Sequence, residues 1–383
     1  MKQTRNVALL IETSREFGRS LLYGIARYAR LHGPWRFHRR AGALDSPLSQ
    51  WSDWKVDGAI VRDIAHVEKH IAPGTPVIFA RHNRESYAPF PAIITGDESI
   101  STMGARHFLD RGFEHFAYCG LPDYVWSRGR SVSFQAAIHA AGYEVHVYEP
   151  PASMKQRQWA REKHVLAEWL AGLPKPVGLM CCNDDRALQV TEACEMVGLL
   201  APEDVAILGV DNDVLVCDLA DPPISSIALN TELAGYEAAK LLDALMEGAE
   251  MNGQIIPVTA THIVTRQSTD VLAVGDADVK AALRFIRGNA QRALQVDDVV
   301  KATTVSRRVL EKKFHSILRR SVYREIRRIR VDLIRQMLVR TDLSIAEIAR
   351  QTGFDGVAHV ARYFRQETGM SLRQYRSQNA PAR

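Results

Sequence analysis

Over the first 265 residues, short apolar runs alternate with longer amphipathic stretches. The runs Val7–Ile11, Gly58–Val61, Val77–Phe79, Ile93–Thr95, His115–Cys119, Glu144–Val147, Val177–Met180 and Val205–Val210 predict strands. Between them, Gly18–Leu31, Ile100–Asp110, Gly129–Ala141, Trp159–Leu170 and Arg186–Met196 carry apolar residues at helical spacing. Strands alternating with helices of about 10–15 residues predict βαβ units and parallel sheets. A run as uniformly apolar as Val7–Ile11 fits a strand covered on both faces. One sheet of this length would be unusual, and the break at Arg111-Gly112-Phe113 predicts a second lobe there. The helical stretch Glu232–Met246 predicts a return to the first lobe. The reading is a hinged pair of doubly wound lobes, lobe one at about 1–111 and 232–265 and lobe two at about 112–231. Ligands are expected in the cleft, at the carboxyl ends of the strands.

After Thr265 the pattern changes. Residues 266–277 read as a short polar linker, and residues 278–383 show almost only helical periodicity. Val296–Val300 starts a short helix, Thr303-Thr304 makes a turn, and Ser306 is placed to cap the next helix, RRVLEKKFHSIL. Val305, Val309, Leu310, Phe314 and Ile317 form its apolar side, while Arg307, Arg308, Glu311 and Lys312 lie on the other. A helix with a packed back and a polar front fits a DNA major groove, about 12 Å wide. A long arginine-rich helix, Val322–Arg340, follows. The arrangement then repeats. Ser344 and Glu347 have capping-box spacing, Gly353-Phe354 makes the turn, and Asp355 is placed to cap a helix through Val360, Tyr363 and Phe364. The two helix-turn-helix units lie at about 296–318 and 344–367, and Ser306 precedes Asp355 by 49 residues. Two such units would reach successive major grooves, about 34 Å apart.

Charge sharpens this division. Residues 275–383 hold 23 Lys and Arg against 11 Asp and Glu, net +12, whereas residues 1–274 are net −7. A basic tail behind an acidic body predicts a polyanion partner for the tail, bound less tightly as salt rises. No uncharged apolar run reaches the ~18 residues of a membrane helix. The apolar stretch near the N-terminus is only five residues long, Val7 to Ile11, short for a secretion signal, so a cytoplasmic protein is expected. The five cysteines, Cys119, Cys181, Cys182, Cys194 and Cys217, lack metal-site spacing and read as buried thiols. No dinucleotide, P-loop, zinc-protease or nucleophile-elbow motif occurs, so neither an enzyme nor a cofactor is expected.

The basic segment, about residues 278–376, resembles the DNA-binding domain of the AraC/XylS family. The resemblance rests on SRRVLEKKF in the first unit and on Ala349, Gly353, Phe354, Phe364, Gly369 and Tyr375-Arg376 in the second. Arg319 stands where a glycine usually ends the first recognition helix, Leu372 replaces a common proline, and His359-Val360 a common aromatic pair. The resemblance implies that Arg308, Glu311 and Lys312 read bases in the first unit and Arg362 with Val357 in the second. An arginine suits this role because it pairs bidentately with guanine. Arg307, Lys313, Arg324 and Arg328 are expected on phosphates. For each single arginine, a solvated surface charge is the alternative.

The first 265 residues resemble the sensor of LacI/GalR-type repressors, itself similar to periplasmic sugar-binding proteins. Three stretches carry this likeness: DYVWSRGRSVSF (123–134) with Arg130, MCCNDD (180–185) with Asn183 and Asp184, and ILGVDND (207–213) with Asp211 and Asn212. Carboxylate, amide and guanidinium together suit a polyol. Trp126 and Phe17 offer an apolar face to sugar C–H groups, and Glu12, Ser14 and Arg81 follow strand ends in lobe one. The alternatives are turn or cap chemistry for Asn183 and Asp211 and core packing for Trp126.

A sensor of this kind joined to an AraC-type domain resembles XylR-type regulators, the xylose-responsive activators of bacterial pentose catabolism. That likeness extends over LLIETSREFGRSLLYGI, FAYCGLPDYVWS and TRQSTD (265–270). It implies an α/β two-lobe periplasmic-binding-protein-like (type I) sensor followed by an all-α domain with two helix-turn-helix units. It further implies a homodimer on DNA with repeated half-sites, a small sugar effector, and activation through RNA polymerase. A different polar metabolite, repression, or a ligand-independent role in DNA architecture remain as alternatives.

Overall fold

The computed structural model describes residues 4–39, 55–63, 72–151, 158–270 and 276–379. The chain opens with β1 (Arg5–Leu10), α1 (Glu16–His32), β2 (Trp35–Arg39), β3 (Gly58–Arg62), β4 (Val77–Ala80) and β5 (Ala92–Thr95). These strands form one parallel sheet. Next come α2 (Asp97–Leu109), β6 (His115–Cys119), α3 (Val125–His139), β7 (Val145–Val147), α4 (Trp159–Gly172) and β8 (Val177–Cys181). After them run α5 (Asp184–Met196), β9 (Val205–Val210), α6 (Val214–Leu219) and β10 (Ser225–Leu229). The chain then returns through α7 (Thr231–Met246) to β11 (Ile255–Val258), and crosses again into β12 (Ala260–Val264). The two six-stranded sheets have the orders β11-β5-β4-β3-β1-β2 and β12-β10-β9-β8-β6-β7. Among the described strands only β12 runs antiparallel to its neighbour.

Two lobes thus meet at three chain crossings. The backbone is stitched there by Gly96 N to Val258 O at 2.7 Å, Asn230 N to Thr259 O at 3.1 Å, and Thr259 N to the Asn230 side chain at 2.7 Å. The crossing expected near Arg111 lies instead at Gly96. Arg111-Gly112-Phe113 is a helix stop inside lobe two: Gly112 has φ 76°, and Gly112 N and Phe113 N bond back to Leu109 O and Phe108 O. A helix end and a domain break carry the same glycine signal. Residues 260–264, assigned above to lobe one, belong to lobe two as β12. Three of the four strands without a sequence signal, β2, β11 and β12, are sheet edges, and in β2 and β11 exposed positions weaken the apolar pattern.

The start of the expected linker is not free. A 3₁₀ turn, Gln267–Thr269, is anchored in lobe two by Ser268 Oγ to Ile207 O at 2.6 Å and by Arg111 Nε to Thr269 O at 2.9 Å. Residues 271–275 of that linker lie outside the described residues.

The C-terminal domain holds α8 (Ala277–Gly288), α9 (Val296–Lys301), α10 (Arg307–Leu318), α11 (Val322–Arg340), α12 (Ile345–Gln351), α13 (Val357–Thr368) and α14 (Leu372–Asn379). It has two cores, one around Leu310, Phe314 and Leu318, the other around Ile348, Phe354, Val360 and Phe364. Helix α11 joins them, giving Val322 and Ile326 to the first and Val331, Ile334 and Leu338 to the second. The Ser344–Glu347 capping box forms, with bonds of 2.7 and 3.2 Å. Asp355 is not the cap of α13, a place taken by Gly356. Val309, expected on the packed side of α10, is 42% exposed. Arg319 ends α10 in the left-handed region, φ 53°, the conformation for which glycine is favoured.

Helices α1 and α7 cover one face of the lobe-one sheet and touch backbone to backbone at two glycines. A Cβ on Gly24 would sit 1.9 Å from Glu232 O, and one on Gly235 would sit 2.1 Å from Leu21 O. Gly24→Ala and Gly235→Ala should each force the helices apart and destabilise the sensor by about 1–3 kcal/mol, the cost of overpacking. Urea denaturation would reveal it, and an unchanged midpoint would refute the close approach.

Candidate ligand cleft and DNA-reading face

The cleft is built from side chains placed where strands stop. In lobe one these are Glu12 after β1, Arg62 at the end of β3, and Arg81 and His82 after β4. In lobe two they are Asp211 and Asp213 after β9, with Arg130 on α3 and Asp97 opening α2. Glu12 and Arg62 form a buried pair, Nη2 to Oε1 at 2.7 Å, and the guanidinium lies 4.6 Å from the centre of the Phe17 ring. Burial opposes ionisation of Glu12, but the charge and hydrogen bonds of Arg62 outweigh it and hold the carboxyl below its ordinary range. Burial and the nearby Arg62 charge depress His82, leaving a neutral ring with one donor and one acceptor.

Arg130 is 2% exposed. One of its N–H groups donates to Cys182 O, its Nε lies 3.8 Å from Asp97 Oδ1, and its guanidinium is 5.0 Å from the centre of the Trp126 ring. Asp211 sits at φ 100° and Asn212 at φ 53°, a left-handed bend that non-glycine residues rarely adopt. Strain of this kind persists where the surroundings enforce it, often at ligand sites. Burial raises the Asp211 carboxyl to about 6, against the lowering charges of Arg130, Arg62 and Arg15. Charges from both lobes therefore act on one carboxylate.

Among the described residues, five polar atoms at this boundary are shut off from solvent and have no hydrogen-bond partner: Arg81 Nε, His82 Nδ1, Arg130 Nε, Asp211 Oδ1 and Asp213 Oδ1. Buried polar groups are nearly always paired, so a cluster of exceptions marks a place for a polar ligand. Donors and acceptors occur together, as a polyol hydroxyl requires. Across the cleft the lobes touch through Arg15–Asp185 at 2.6 Å, Arg19–Asp213 at 2.6 Å, Arg81–Asp97 at 3.3 Å and Arg128–Glu85 at 2.9 Å. His82 also lies 4.8 Å, ring centre to ring centre, from Tyr124.

The structure does not bring every expected residue to the cleft with a free group. Asn183 caps α5, its Oδ1 accepting from Arg186 N at 3.0 Å. Asp184 is buried and accepts from Asp213 N at 2.6 Å and Ser226 Oγ at 2.5 Å, which ties the ends of β9 and β10 together. The side chain of Asn212 accepts from Arg266 at 3.0 Å. Ser14 is exposed in the loop before α1. Arg62, His82, Asp97 and Asp213 were not anticipated. The first three follow the same strand-end rule, a charged or polar residue at or just beyond an apolar run, and so had a signal.

On the C-terminal domain, Arg308 and Lys312 are exposed one helical turn apart on α10, and Val357 and Arg362 are exposed on α13 with Arg365 beside them. Arg307 is exposed and pairs with Asp297 at 3.1 Å. Glu311 turns inward instead, and its Oε2 accepts from Val322 N at 3.2 Å to satisfy the start of α11. Two expected phosphate contacts are also taken. Lys313 is held 2.7 Å from both Asp276 and Asp278, and Arg328 lies against Asp110 and Glu325. Arg324 remains exposed.

Residues 105–269 match the family described as Periplasmic binding protein-like domain, and residues 299–378 match the family Helix-turn-helix domain. The chain is 28% identical over 383 residues to the xylose operon regulatory protein of Escherichia coli strain K12, covering 98% of this chain and 97% of the relative. It is 25% identical to the protein of the same name from Haemophilus influenzae, covering 98% and 99%. A solved structure described as the xylose-binding transcription activator xylR superposes with a TM-score of 0.63 at 26% identity, over 99% of both chains. Sensor and DNA-binding halves thus match in the same order and over the same length: the chain is similar from end to end to xylose operon regulatory proteins, with a periplasmic-binding-protein-like domain followed by a helix-turn-helix domain.

Proposed function

We propose that this regulator is a cytoplasmic, xylose-responsive activator that binds paired DNA half-sites as a homodimer and recruits RNA polymerase. The observation that carries the sugar reading is the set of five unpartnered polar atoms between the lobes, held within a closed cleft. The choice of xylose rests on full-length relatives whose names state that sugar. A hydroxyl can donate to Asp211 Oδ1 or Asp213 Oδ1 while accepting from Arg130 Nε or Arg81 Nε. Such a ligand touches both lobes only when they are shut, so it binds the closed state better and shifts the population toward it. The dimer follows from DNA geometry: one chain carries two recognition helices, α10 and α13, and repeated half-sites call for two chains. Among the described residues no group of three or more His, Cys, Asp or Glu is placed to hold a metal. Regulation of transcription is the function these parts serve.

Thermal melting against xylose, arabinose and ribose tests the effector. Ligand at about 100 times its Kd stabilises the folded state by ~2.7 kcal/mol. Xylose should raise the midpoint most; no response to any of the three would remove the sugar reading.

Asp211 also predicts a pH dependence. Its folded pKa of about 6 lies above that of an unfolded aspartate, so without ligand its contribution to stability declines as pH rises from about 4 to 6. Sugar binding has the opposite sign, because the ionised carboxylate is the better acceptor. Xylose affinity should fall by up to about tenfold per pH unit below about 6, and Asp211→Asn should weaken binding and flatten the profile. Calorimetric titration at pH 5 and 7.5 would decide, a flat wild-type profile being the contrary result.

For the DNA face, Arg362→Ala should cost about 1–3 kcal/mol of sequence discrimination with the fold unchanged. Operator binding in competition with random duplex measures it, and retained preference would reassign Arg362 to the solvated surface.

A further inference from the structure

The C-terminal domain does not hang from a tether; it is seated on lobe two and on the hinge. Three hydrogen bonds join it to backbone or side chains at the crossings. Tyr375 OH donates to Thr261 O at 2.6 Å, Gln336 Nε2 to Ile263 O at 3.2 Å, and Asn230 Nδ2 to Gln378 O at 3.4 Å. Thr261 and Ile263 lie on β12, and Asn230 holds the hinge closed against Thr259. The strongest element of the seat is ionic. Asp110, the residue that ends α2, is 4% exposed and accepts from Arg320 through Oδ1, while its Oδ2 lies 2.9 Å from Arg328 Nη1.

The same two arginines hold Glu325, which is fully buried: Arg320 Nη1 at 3.2 Å and Arg328 Nη2 at 2.7 Å. Four charges therefore close a ring across the domain boundary, three from the DNA-binding domain and one, Asp110, from the sensor. Within its own domain Glu325 balances only one of the two arginines, with the half-exposed Asp332 3.1 Å from Arg328. Removing the sensor carboxylate would leave a half-buried arginine short of a counter-charge, which is strongly unfavourable. Burial opposes ionisation of Asp110, but Arg328 and Arg320 outweigh it and keep the carboxylate charged.

Helix α2 runs from this ring back to the cleft. It begins at Asp97, which faces Arg81 of lobe one and Arg130, and it is a single helix of 13 residues, about 20 Å long. It cannot slide independently, because Ser101 Oγ bonds Arg130 O at 2.8 Å and a Cβ on Gly129 would meet Asp97 Oδ2 at 2.2 Å. His107 and Arg111 near its other end grip Thr269, the start of the linker. One rigid helix thus has the ligand boundary at one end and, at the other, the ionic ring with the DNA-binding domain and the anchor at Thr269.

We propose that the Asp110–Arg320–Arg328–Glu325 ring is an interdomain latch that makes lobe two and the DNA-binding domain one rigid body, and that sugar-driven lobe closure reaches the operator helices through it. The sugar half of this statement rests on the function proposed above; the latch itself does not. Coupling requires a bistable element biased from both ends, and the hinge beneath α14 is that element.

The test uses the full-length protein, its operator and D-xylose, with Asp110→Asn and Arg328→Gln made singly and together. Asp110 and Arg328 lie outside both the cleft and the DNA-reading face, so xylose affinity and the affinity of the apo protein for operator should stay within about twofold of wild type, whereas the xylose-dependent change in operator affinity, about fivefold or more in wild type, should fall to within about twofold of unity. Hydrogen exchange supplies a readout that needs no sugar. Amides of α11 and β12 should exchange about tenfold faster in Asp110→Asn, with α12 and α13 unchanged to show that the domain is still folded. The double variant should behave like the single ones. If α11 and β12 exchange as in wild type, the latch is refuted. If exchange rises but the xylose effect on operator affinity is undiminished, the transmission role is refuted. If wild type fails to bind xylose, the effector assignment falls while the exchange result still decides the latch.

Discussion

Arg130 occupies the point on which the molecule's two tasks converge. Its guanidinium is almost wholly buried, shares Asp97 with an arginine from the opposite lobe, and keeps one N–H without a partner. A buried guanidinium is tolerated only where its donors find acceptors. Arg130 finds Cys182 O and Asp97 within its own lobe, and Arg81 of lobe one shares Asp97 with it.

The same carboxylate that steadies Arg130 begins α2, and α2 ends in the ionic ring with the DNA-binding domain. The architecture therefore needs no long chain of small shifts between cleft and DNA. Lobe two carries Arg130, the helix and the seat of the helix-turn-helix domain, while lobe one joins it at three stitched crossings. Much of the arginine-rich helix α11 serves this arrangement, while its Arg324 stays exposed. Arg327 and Arg328 pair with Glu367, Glu325 and Asp110, and Arg330 is buried against Phe354 with a bond to Thr352 O at 2.6 Å. The basic composition of the tail thus has two parts, an internal lattice of paired arginines and an outward face on α10 and α13.

Reading individual positions from sequence succeeded where local periodicity and local chemistry agree. The Ser344–Glu347 box formed because both its partners lie within one helical turn. Elsewhere the fold engages the candidate side chain. Asp184 looks like a ligand group in MCCNDD, yet it accepts from Ser226 Oγ and the backbone of Asp213, while Asn183 takes the helix-cap role that was its alternative. Glu311 has a base reader's position on α10 but answers the unpaired N-terminus of the next helix.

By itself the sequence determined the alternation of strands and helices, the two-lobe sensor, the paired helix-turn-helix units and the charge asymmetry, because periodicity, capping and composition are local properties of the chain. The tertiary structure alone decided where the lobes cross, which strand-end groups remain unpaired in the cleft, and that Asp110 is a partner of Arg320 and Arg328 more than two hundred residues away. No local pattern encodes which of many charges will be enclosed together, since that depends on burial, and burial exists only once the domains have packed.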